Sequence, residues 1–339
     1  MKYYNSKDYI RYLAKKMPFS MPYDETRNFS EWQKQVKEKL IDLLGLPFEK
    51  CEDDMFAITE TIEKETYTQY RFEYQSEEDY FVPCDLLVPK NISSPLPVAI
   101  CLQGHSNGKH ISTGDPIYKG DAGDIAGGRD FAVQAVNQGF CAIAMEQRYM
   151  GISGHDEENG SPECLKKHVI PPTFHLGRTP IGERVWDIQR LIDLIEKHFT
   201  QYIDATKIIC MGNSGGGTAT FYASCVEERI CVSVPSCAVC KYDDSILAMS
   251  HCGCNYIPYI RKYFDMGDLG CLIAPRGYVQ VNGAKDGIFP LGGATASFET
   301  IKTAYKNNGC ETKCHMVVGE GGHRFYPDQA WPIIKELIK

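Results

Sequence analysis

Two patterns of hydrophobic and polar positions divide this chain. From residue 97 onward, continuous apolar runs of strand length alternate with amphipathic stretches of helical spacing. The apolar runs predict strands at 97–102, 140–145, 207–211, 230–234, 277–282 and 313–318. The amphipathic stretches predict helices at 131–138, 182–199, 218–226, 294–307 and 328–338. Because apolar strands that alternate with helices are buried on both sides, we predict an α/β fold: a mostly parallel, doubly wound sheet with helices on both faces.

The part of the chain before residue 97 has a different pattern. Residues 1–50 favour helix, with a capping signal at 29–32 and a stop at Gly45 and Pro47. Residues 56–88 alternate between polar and apolar or aromatic side chains, which is typical of antiparallel strands that enter a sheet.

These patterns indicate an N-terminal helical and β extension at 1–80, packed on the core, and one α/β domain at 81–339. Two long stretches interrupt the alternation of strands and helices, at 149–180 and at 236–275. Long insertions at the carboxyl ends of strands commonly shape a pocket, so we expect both to do so. The alternative is a surface elaboration that never contacts a substrate.

A glycine-rich turn directly follows the apolar run at 207–211. It reads Gly212-Asn213-Ser214-Gly215-Gly216 and leads into the helix predicted at 218–226. A G-x-S-x-G pattern between a strand and a helix is the pattern of a nucleophile elbow. Side chains at the first and last glycine would crowd so sharp a turn. We therefore predict Ser214 as a nucleophile, with the following helix directing its free N–H groups towards developing negative charge.

Candidates for a general base and for an orienting acid follow Ser214 in the chain order that this chemistry requires. Asp286 lies in a turn after the strand at 277–282, and His323 lies in a glycine-rich loop after the last strand. We predict His323 as the base and Asp286 as the carboxylate that orients it. The competing candidates are His251 and His315 for the base, and Asp243, Asp244 and Glu320 for the acid.

An oxyanion needs N–H donors from the residue after the nucleophile and from the loop after an earlier strand. The first donor is predicted to be Gly215. In the loop after residue 102, Gly104 lets the backbone come close and the N–H of His105 is the expected second donor. His251 and Tyr256, in the insertion at 236–275, are predicted to contact the substrate.

The composition is that of an ordinary globular protein, with 43% hydrophobic and 24% charged residues among 339. No apolar run approaches the roughly 18–20 residues that span a bilayer, and the N-terminus has no apolar segment typical of a secretory signal. A net charge of −8 without a basic stripe argues against a nucleic-acid partner. We expect a cytoplasmic protein with no membrane partner.

The chain has 15 cysteines. In a reduced compartment those within predicted strands and helices are expected to be small buried hydrophobic residues: Cys101, Cys141, Cys210, Cys225 and Cys231. A second group does not match a known zinc spacing and consists of Cys237, Cys240, His251, Cys252 and Cys254. We therefore predict neither a metal site nor a cofactor.

The chain resembles the α/β-hydrolase superfamily, on the branch of the acetyl xylan esterases and dienelactone hydrolases. The blocks that carry the resemblance are Leu102-Gln103-Gly104-His105, Gly212-Asn213-Ser214-Gly215-Gly216-Gly217, Gly283-Ala284-Lys285-Asp286 and Gly322-His323, with further similarity at 251–258 and 274–276. The resemblance covers roughly residues 80–339. One position departs from it, because the better-known deacetylases of this branch have glutamine after the nucleophile, where this chain has Gly215.

The resemblance implies a serine esterase that removes short acyl groups, acetyl above all, from carbohydrate such as acetylated xylo-oligosaccharides. The expected partner is therefore a small ester or an acetylated oligosaccharide, and homo-oligomer formation is left open. The alternatives are a peptidase of the prolyl-oligopeptidase kind, a thioesterase, or a catalytically silent binding protein on the same scaffold. The extension at 1–80 is too short for the large propeller that such peptidases usually carry.

Overall fold

The strands in the described part of this computed structural model, residues 2–51, 55–154 and 171–339, form one nine-stranded sheet. Their bounds are β1 Phe56–Glu63, β2 Tyr67–Glu77, β3 Tyr80–Pro89, β4 Leu96–Leu102, β5 Cys141–Met145, β6 Ile203–Asn213, β7 Ile230–Ser236, β8 Gly277–Gly283 and β9 Cys314–Gly319. They lie in the order β1-β2-β3-β5-β4-β6-β7-β8-β9. Strands β1, β2, β3 and β5 pair antiparallel, and every pairing from β5 through β9 is parallel. The predictions of a mostly parallel sheet and of antiparallel strands before it are confirmed.

Helices cover both faces of this sheet. Their bounds are α1 Ser6–Lys16, α2 Phe29–Leu44, α3 Asp121–Asp124, α4 Phe131–Asn137, α5 Pro171–His175, α6 Pro180–His198, α7 Gly215–Val226, α8 Met266–Gly270, α9 Leu291–Asn307 and α10 Pro327–Leu337. Side chains of α2, α6, α7 and α9 pack on one face, and those of α4 and α10 on the other. Within the described ranges, no helix is both long and apolar enough to cross a membrane.

Strand β4 shows why the central strands consist of consecutive apolar residues. Val98 and Ile100 pack into the core beneath α6 and α7, whereas Ala99 and Cys101 pack against α4 and α10. All four side chains are fully buried. Because successive side chains of a strand point to opposite faces, covering both faces requires apolar residues at every position.

Helix α2 packs the N-terminal extension onto the core. Asn28 caps the helix by accepting a hydrogen bond from the Glu31 amide at 3.0 Å, one residue before the predicted capping segment. The helix ends at Gly45, whose φ of 79° is the left-handed conformation that favours glycine. Its buried stripe consists of Trp32, Val36, Leu40 and Leu44. The division at residue 80 stays a prediction, since β3 begins at Tyr80 within the same sheet.

The carboxyl end of α2 meets the first turn of α6 at very short range. The Thr179 hydroxyl donates to the Leu44 carbonyl at 2.9 Å and accepts from the Gly182 amide at 3.0 Å, so that it joins the two helices. A Cβ at Gly182 would overlap the Leu44 carbonyl oxygen and lie 2.9 Å from the Thr179 hydroxyl. Glycine at 182 is therefore what allows α2 to reach α6.

The two predicted insertions are described to different extents. Of the first, residues 155–170 lie outside the described residues, and the rest includes α5 and the Thr179 cap of α6. The second follows β7 and is largely turns, with α8 near its end. Among the predicted hydrophobic cysteines, Cys231 is only half-buried and the other four are buried.

We predict that Gly182→Ala lowers the free energy of unfolding by about 1–3 kcal/mol, because the new methyl group must push α2 away from α6. Gly292→Ala is the matched control: a Cβ there meets nothing within 4 Å, and its expected effect is a stabilisation of up to about 1 kcal/mol. Urea unfolding followed by circular dichroism measures both. Equal stability of the two variants would contradict the close contact.

Candidate active site

Ser214 lies at the turn between β6 and α7 in a strained backbone conformation. Its φ of 55° and ψ of −121° are unusual for a residue with a side chain. The turn is held by two hydrogen bonds of 2.8 Å, from the Ser214 amide to the Ser236 carbonyl and from the Thr218 amide to the Ser214 carbonyl. Strain held in this way at a strand-to-helix junction is a feature of functional sites.

The glycines on either side of Ser214 are required by close backbone contacts. A Cβ at Gly212 would lie 2.6 Å from the carbonyl carbon of Gly216, and a Cβ at Gly216 would overlap the carbonyl oxygen of Leu102 at the end of β4. The crowding is between backbone atoms, which cannot rotate away as a side chain can. This crowding is the steric reason for glycine at both positions, as the G-x-S-x-G pattern suggested.

His323 and Asp286 are paired next to this turn. Nδ1 of His323 lies 2.8 Å from Oδ2 of Asp286, whose Oδ1 accepts hydrogen bonds from the amides of Ile288 at 2.8 Å and Phe289 at 3.1 Å. Burial would raise the pKa of Asp286, but the hydrogen bond and charge of His323 and these two amides outweigh it and hold the pKa below its ordinary value. An ionised carboxylate only accepts hydrogen bonds, so Nδ1 of His323 is the donor.

Backbone hydrogen bonds between two loops set the distance between His323 and Asp286. The amide of Ala284 donates to the Gly319 carbonyl at 2.7 Å, and that of Lys285 donates to the Gly321 carbonyl at 2.8 Å. These bonds continue the parallel pairing of β8 and β9 beyond the ends of the strands. The acid turn and the histidine loop are consequently held side by side.

The other ring nitrogen of His323 faces no hydrogen-bond partner in the described part of the chain. Nε2 is buried and makes no hydrogen bond to any described residue. His323 and Ser214 both line one cavity of about 270 Å³. An imidazole whose Nδ1 donates to a carboxylate, and whose Nε2 is an unpaired acceptor, is arranged to take a proton from a group in that cavity.

The same cavity brings together most of the residues predicted from sequence. Besides Ser214 and His323, it is lined by Gly215, His105 and His251, while Asp286 lies behind His323. Tyr256 is not among the lining residues. It is 38% exposed and lines a neighbouring cavity with Tyr242 and Tyr259. Three further lining residues, Ser250, Cys252 and Asn255, come from the insertion at 236–275 that was expected to shape a pocket. The lining residues that the sequence analysis did not place in a pocket are Arg129, Ile288 and Phe289.

Of the competing acid and base candidates, His251 lines the cavity, with its Nε2 3.2 Å from the Ser245 hydroxyl oxygen, and the other four lie elsewhere. Asp243 pairs with Arg261 at 3.0 Å. Nε2 of His315, on β9, lies 2.8 Å from the Thr312 carbonyl oxygen. Asp244 lies against Gly293 of α9, and Glu320 is exposed. None of these four residues lines the cavity of Ser214.

The loop after β4 passes directly over the predicted nucleophile. A Cβ at Gly104 would lie 2.9 Å from the Asn213 carbonyl oxygen and 3.1 Å from Cβ of Ser214. A Cβ at Gly215 would lie 2.9 Å from Cε1 of the His105 ring. The imidazole of His105 thus lies where a side chain at 215 would project, so that glycine at 215 leaves room for this ring.

The Phe289 ring lies against the predicted base, and His251 packs on that ring. The Phe289 ring stacks on His323 with centroids 6.0 Å apart and an interplanar angle of 18°. His251 meets Phe289 edge-on at 5.5 Å, and burial lowers the pKa of His251, which favours its neutral form. Phe289 follows Asp286 closely in sequence, and that proximity was the signal available for finding it. Arg129, held by Asp124 at 3.2 Å, had no comparable signal.

Cys237 is another neighbour of the acid and base that sequence reasoning did not place there. Its Sγ lies within 4.8 Å of the ligand atoms of Asp286 and His323. The residue has a φ of 48°, and its amide donates to the Val281 carbonyl at 2.8 Å. A small polarisable side chain therefore fills the space next to the carboxylate.

A buried carboxylate supports the loops next to His105. Glu146 accepts hydrogen bonds from the amides of Lys109 at 3.4 Å and Ile152 at 3.3 Å. Side chains at Gly108 and Gly151 would collide with this carboxylate. Burial raises the pKa of Glu146 to about 7, against a smaller lowering by the charge of Lys109.

The sequence profile of the Abhydrolase family matches residues 6–316 of this chain. Among curated proteins, the chain is similar to the Bacillus subtilis (strain 168) protein named "Putative hydrolase YtaP". The two are 22% identical over 247 residues, which make up 71% of this chain and 77% of that protein.

Solved structures share the fold over nearly the whole chain. A "putative acetyl xylan esterase (BF1801)" from Bacteroides fragilis NCTC 9343 matches with a TM-score of 0.81 and 15% identity, covering 99% of this chain and 96% of that one. A glucuronoyl esterase from Solibacter usitatus matches with a TM-score of 0.71 and 13% identity, covering 95% and 98%. At such low identity these likenesses show the fold alone, and that fold is the α/β-hydrolase fold.

We predict that the Glu146 carboxyl makes the protein less stable as the pH rises. Its folded pKa of about 7 lies above the ordinary 4.5, so the folded state binds more protons between these values and stability falls across that window. Relative to Glu146→Gln, the free energy of unfolding of the wild type should fall by as much as roughly 3 kcal/mol between pH 5 and pH 8. Urea unfolding at several pH values measures this difference.

The control for this prediction is Glu336→Gln, which removes an exposed carboxyl on α10. Its stability should follow the wild-type curve across the same pH range. A difference between wild type and Glu146→Gln that does not change with pH would show that Glu146 is buried in its charged form.

Proposed function

Since this chain belongs to the Abhydrolase family, we propose that it is a serine carboxylic ester hydrolase that removes short acyl groups from carbohydrate. The observation that carries the proposal is the pair of groups facing one cavity: Ser214 in its strained turn and the unpaired Nε2 of His323. The acyl group that we propose is acetyl, and the substrate class is acetylated oligosaccharides such as those of xylan.

In the first half of the proposed reaction, Oγ of Ser214 attacks the ester carbonyl carbon while Nε2 of His323 takes the hydroxyl proton. Asp286 keeps the Nδ1–H tautomer in place and stabilises the imidazolium that forms. The tetrahedral intermediate collapses as His323 returns the proton to the leaving sugar oxygen. The products of this half are the free sugar hydroxyl and an acyl-enzyme on Ser214.

In the second half, His323 deprotonates a water molecule that attacks the acyl-enzyme carbonyl carbon. The proton then passes back to Oγ of Ser214 as the carboxylic acid leaves. We assign the oxyanion to the N–H groups of Gly215 and His105, because the loop at Gly104 lies against Ser214 and Gly215 is the first residue of α7. The positive end of α7 also favours negative charge at this place.

The size and lining of the cavity support a small acyl group on a polar alcohol. Its volume of about 270 Å³ lies just below the range of roughly 300–1,000 Å³ that is typical of drug-sized ligands. Arg129, Asn255 and His251 supply polar groups for hydroxyls, whereas Phe289 and Ile288 supply an apolar wall. Acetyl xylan esterases and glucuronoyl esterases among the structural relatives support a carbohydrate ester as the substrate.

We predict that Ser214→Ala lowers kcat/KM for p-nitrophenyl acetate by roughly 10⁴-fold or more, since it removes the nucleophile. In the wild type, the acetate ester should be cleaved faster than the butyrate ester, and the octanoate ester should be cleaved slowest. A cavity of about 270 Å³ favours a short acyl chain. Turnover of the three esters, with the variant alongside, measures both effects. Equal slow hydrolysis by wild type and variant would overturn the esterase mechanism and favour a binding protein.

Simple esters do not distinguish an acetyl esterase from the other candidate hydrolases, but natural substrates do. Release of acetate from acetylated xylo-oligosaccharides supports the proposal. Faster cleavage of a methyl ester of glucuronic acid would replace the acetyl assignment with a uronic acid ester, and cleavage of a prolyl peptide or an acyl thioester alone would replace the esterase.

The identity of the acid is tested with a matched pair of variants. Asp286→Asn should lower kcat by about 10⁴-fold, because an amide at this position stabilises the wrong tautomer of His323. Asp243→Asn removes a carboxylate that pairs with Arg261 instead, and its kcat should stay near the wild-type value. Steady-state kinetics of both variants gives the answer. A large loss in Asp243→Asn alone would reassign the acid.

A further inference from the structure

Three metal-ligating side chains meet on the wall of the active-site cavity. They are His105, Cys252 and Cys254, and one ligand atom from each lies within 4.8 Å of the other two. Nε2 of His105 lies 3.0 Å from Sγ of Cys254. His105 and Cys252 also line the cavity that contains Ser214, whereas Cys254 is fully buried behind them.

The fold brings these residues together from distant parts of the chain. His105 and Cys254 are 149 positions apart, one in the loop after β4 and the other in the insertion after β7. A short 3₁₀ turn at Gly253–Asn255 places the two cysteines beside one ring, with the Asn255 amide donating to the Cys252 carbonyl at 3.0 Å. Cys-x-Cys alone is a poor zinc pattern, and the third ligand type comes only from the fold.

The absence of a side chain at residue 215 contributes to this arrangement. The His105 ring lies within 3.0 Å of the place where a Cβ of Gly215 would project, so a larger residue there would displace it. On its other side, Cys254 packs against Met150. The imidazole is therefore confined between the elbow and the two cysteines.

One imidazole and two thiolates form a ligand set that suits a borderline-soft cation such as Zn²⁺. Bond lengths of about 2.3 Å to sulfur and about 2.0 Å to nitrogen separate the ligand atoms of a tetrahedral Zn²⁺ by about 3.5–3.8 Å. The ligand atoms of the three residues lie within 4.8 Å of one another, so no separation exceeds the tetrahedral value by much more than about 1 Å. Three protein ligands leave a fourth position, as in sites that face a cavity.

A second group of possible ligand types does not carry the same inference. Cys237, Asp286 and His323 also lie within 4.8 Å of one another. Asp286 already accepts hydrogen bonds from His323 and from the Ile288 and Phe289 amides, so it has a role without a metal. That group belongs to the proposed catalytic machinery.

We propose that His105, Cys252 and Cys254 form a binding site for a thiophilic divalent cation, Zn²⁺ above all, on the wall of the active-site cavity. Binding replaces two S–H bonds by two metal–sulfur bonds and releases both protons to solvent. The bound cation links the loop after β4 to the insertion after β7. The cation uses the imidazole of His105, whereas the proposed serine mechanism uses the backbone N–H of the same residue.

The test uses the 339-residue chain, reduced and freed of metal under nitrogen, with Co²⁺ as a spectroscopic probe and Zn²⁺ as its competitor. We expect one equivalent of Co²⁺ to produce thiolate-to-cobalt charge-transfer absorption, and Zn²⁺ to abolish it. Zn²⁺ should also raise the Tm, because it binds the folded arrangement more tightly than it binds the unfolded chain. Neither readout depends on ester turnover.

We expect Co²⁺ binding to weaken by more than about tenfold in each of the variants Cys252→Ser, Cys254→Ser and His105→Gln. Even the loss of a residue that only hydrogen-bonds to a metal ligand typically lowers metal affinity by about tenfold or more. Cys252→Ser changes a half-buried residue and keeps the test valid if the buried Cys254 variant folds poorly. The matched control is Cys231→Ser, another half-buried cysteine whose Sγ contacts the Thr206 carbonyl, and its affinity should equal that of the wild type.

Three results would overturn the proposal. One is the absence of charge-transfer absorption when the reduced wild type is saturated with Co²⁺. Another is binding that persists in Cys252→Ser and Cys254→Ser, which would place the metal on other residues. The third is a Cys252–Cys254 disulfide that survives mild reduction, because its sulfurs would not be available as thiolates.

Discussion

The contact between the first turn of α7 and the end of β4 is the constraint on which this site depends. Gly216 lies so close to the Leu102 carbonyl that even a methyl group does not fit. Because helix and strand approach so closely, the chain must reverse within one residue, and Ser214 takes its positive φ there. The same approach carries the loop at Gly104 over Ser214, so nucleophile and proposed oxyanion donors are positioned together.

The parallel half of the sheet positions the proposed acid and base. Strands β6, β8 and β9 end at one edge, and the segments that follow them carry Ser214, Asp286 and His323. In a doubly wound sheet, ligands bind at this edge because the loops there come from different strands. The hydrogen bonds that join Ala284 to Gly319 and Lys285 to Gly321 extend this order into the loops and pair acid with base.

The cavity wall has a different origin, since it is built from an insertion and from a loop of another strand. Gly215 leaves space, the His105 ring fills it, and Cys252 and Cys254 lie against that ring. A larger side chain at residue 215 would compete with the His105 ring for this space. Glycine at residue 215 therefore decides where the His105 ring lies in this part of the wall.

The sequence by itself determined the alternation of strands and helices, the strained turn and the chain order of Ser214, Asp286 and His323, because each depends on local spacing and on glycine at crowded positions. The sequence pattern predicted the cap of α2 one residue too late. It also led to the prediction that Tyr256 contacts the substrate, although this residue lines another cavity. Only the tertiary structure decided which of the insertion's residues reach Ser214, and it brought His105 to the two cysteines. The physical reason is that these contacts join segments as far apart as 149 residues, and no local periodicity records which loops the folded sheet will place side by side.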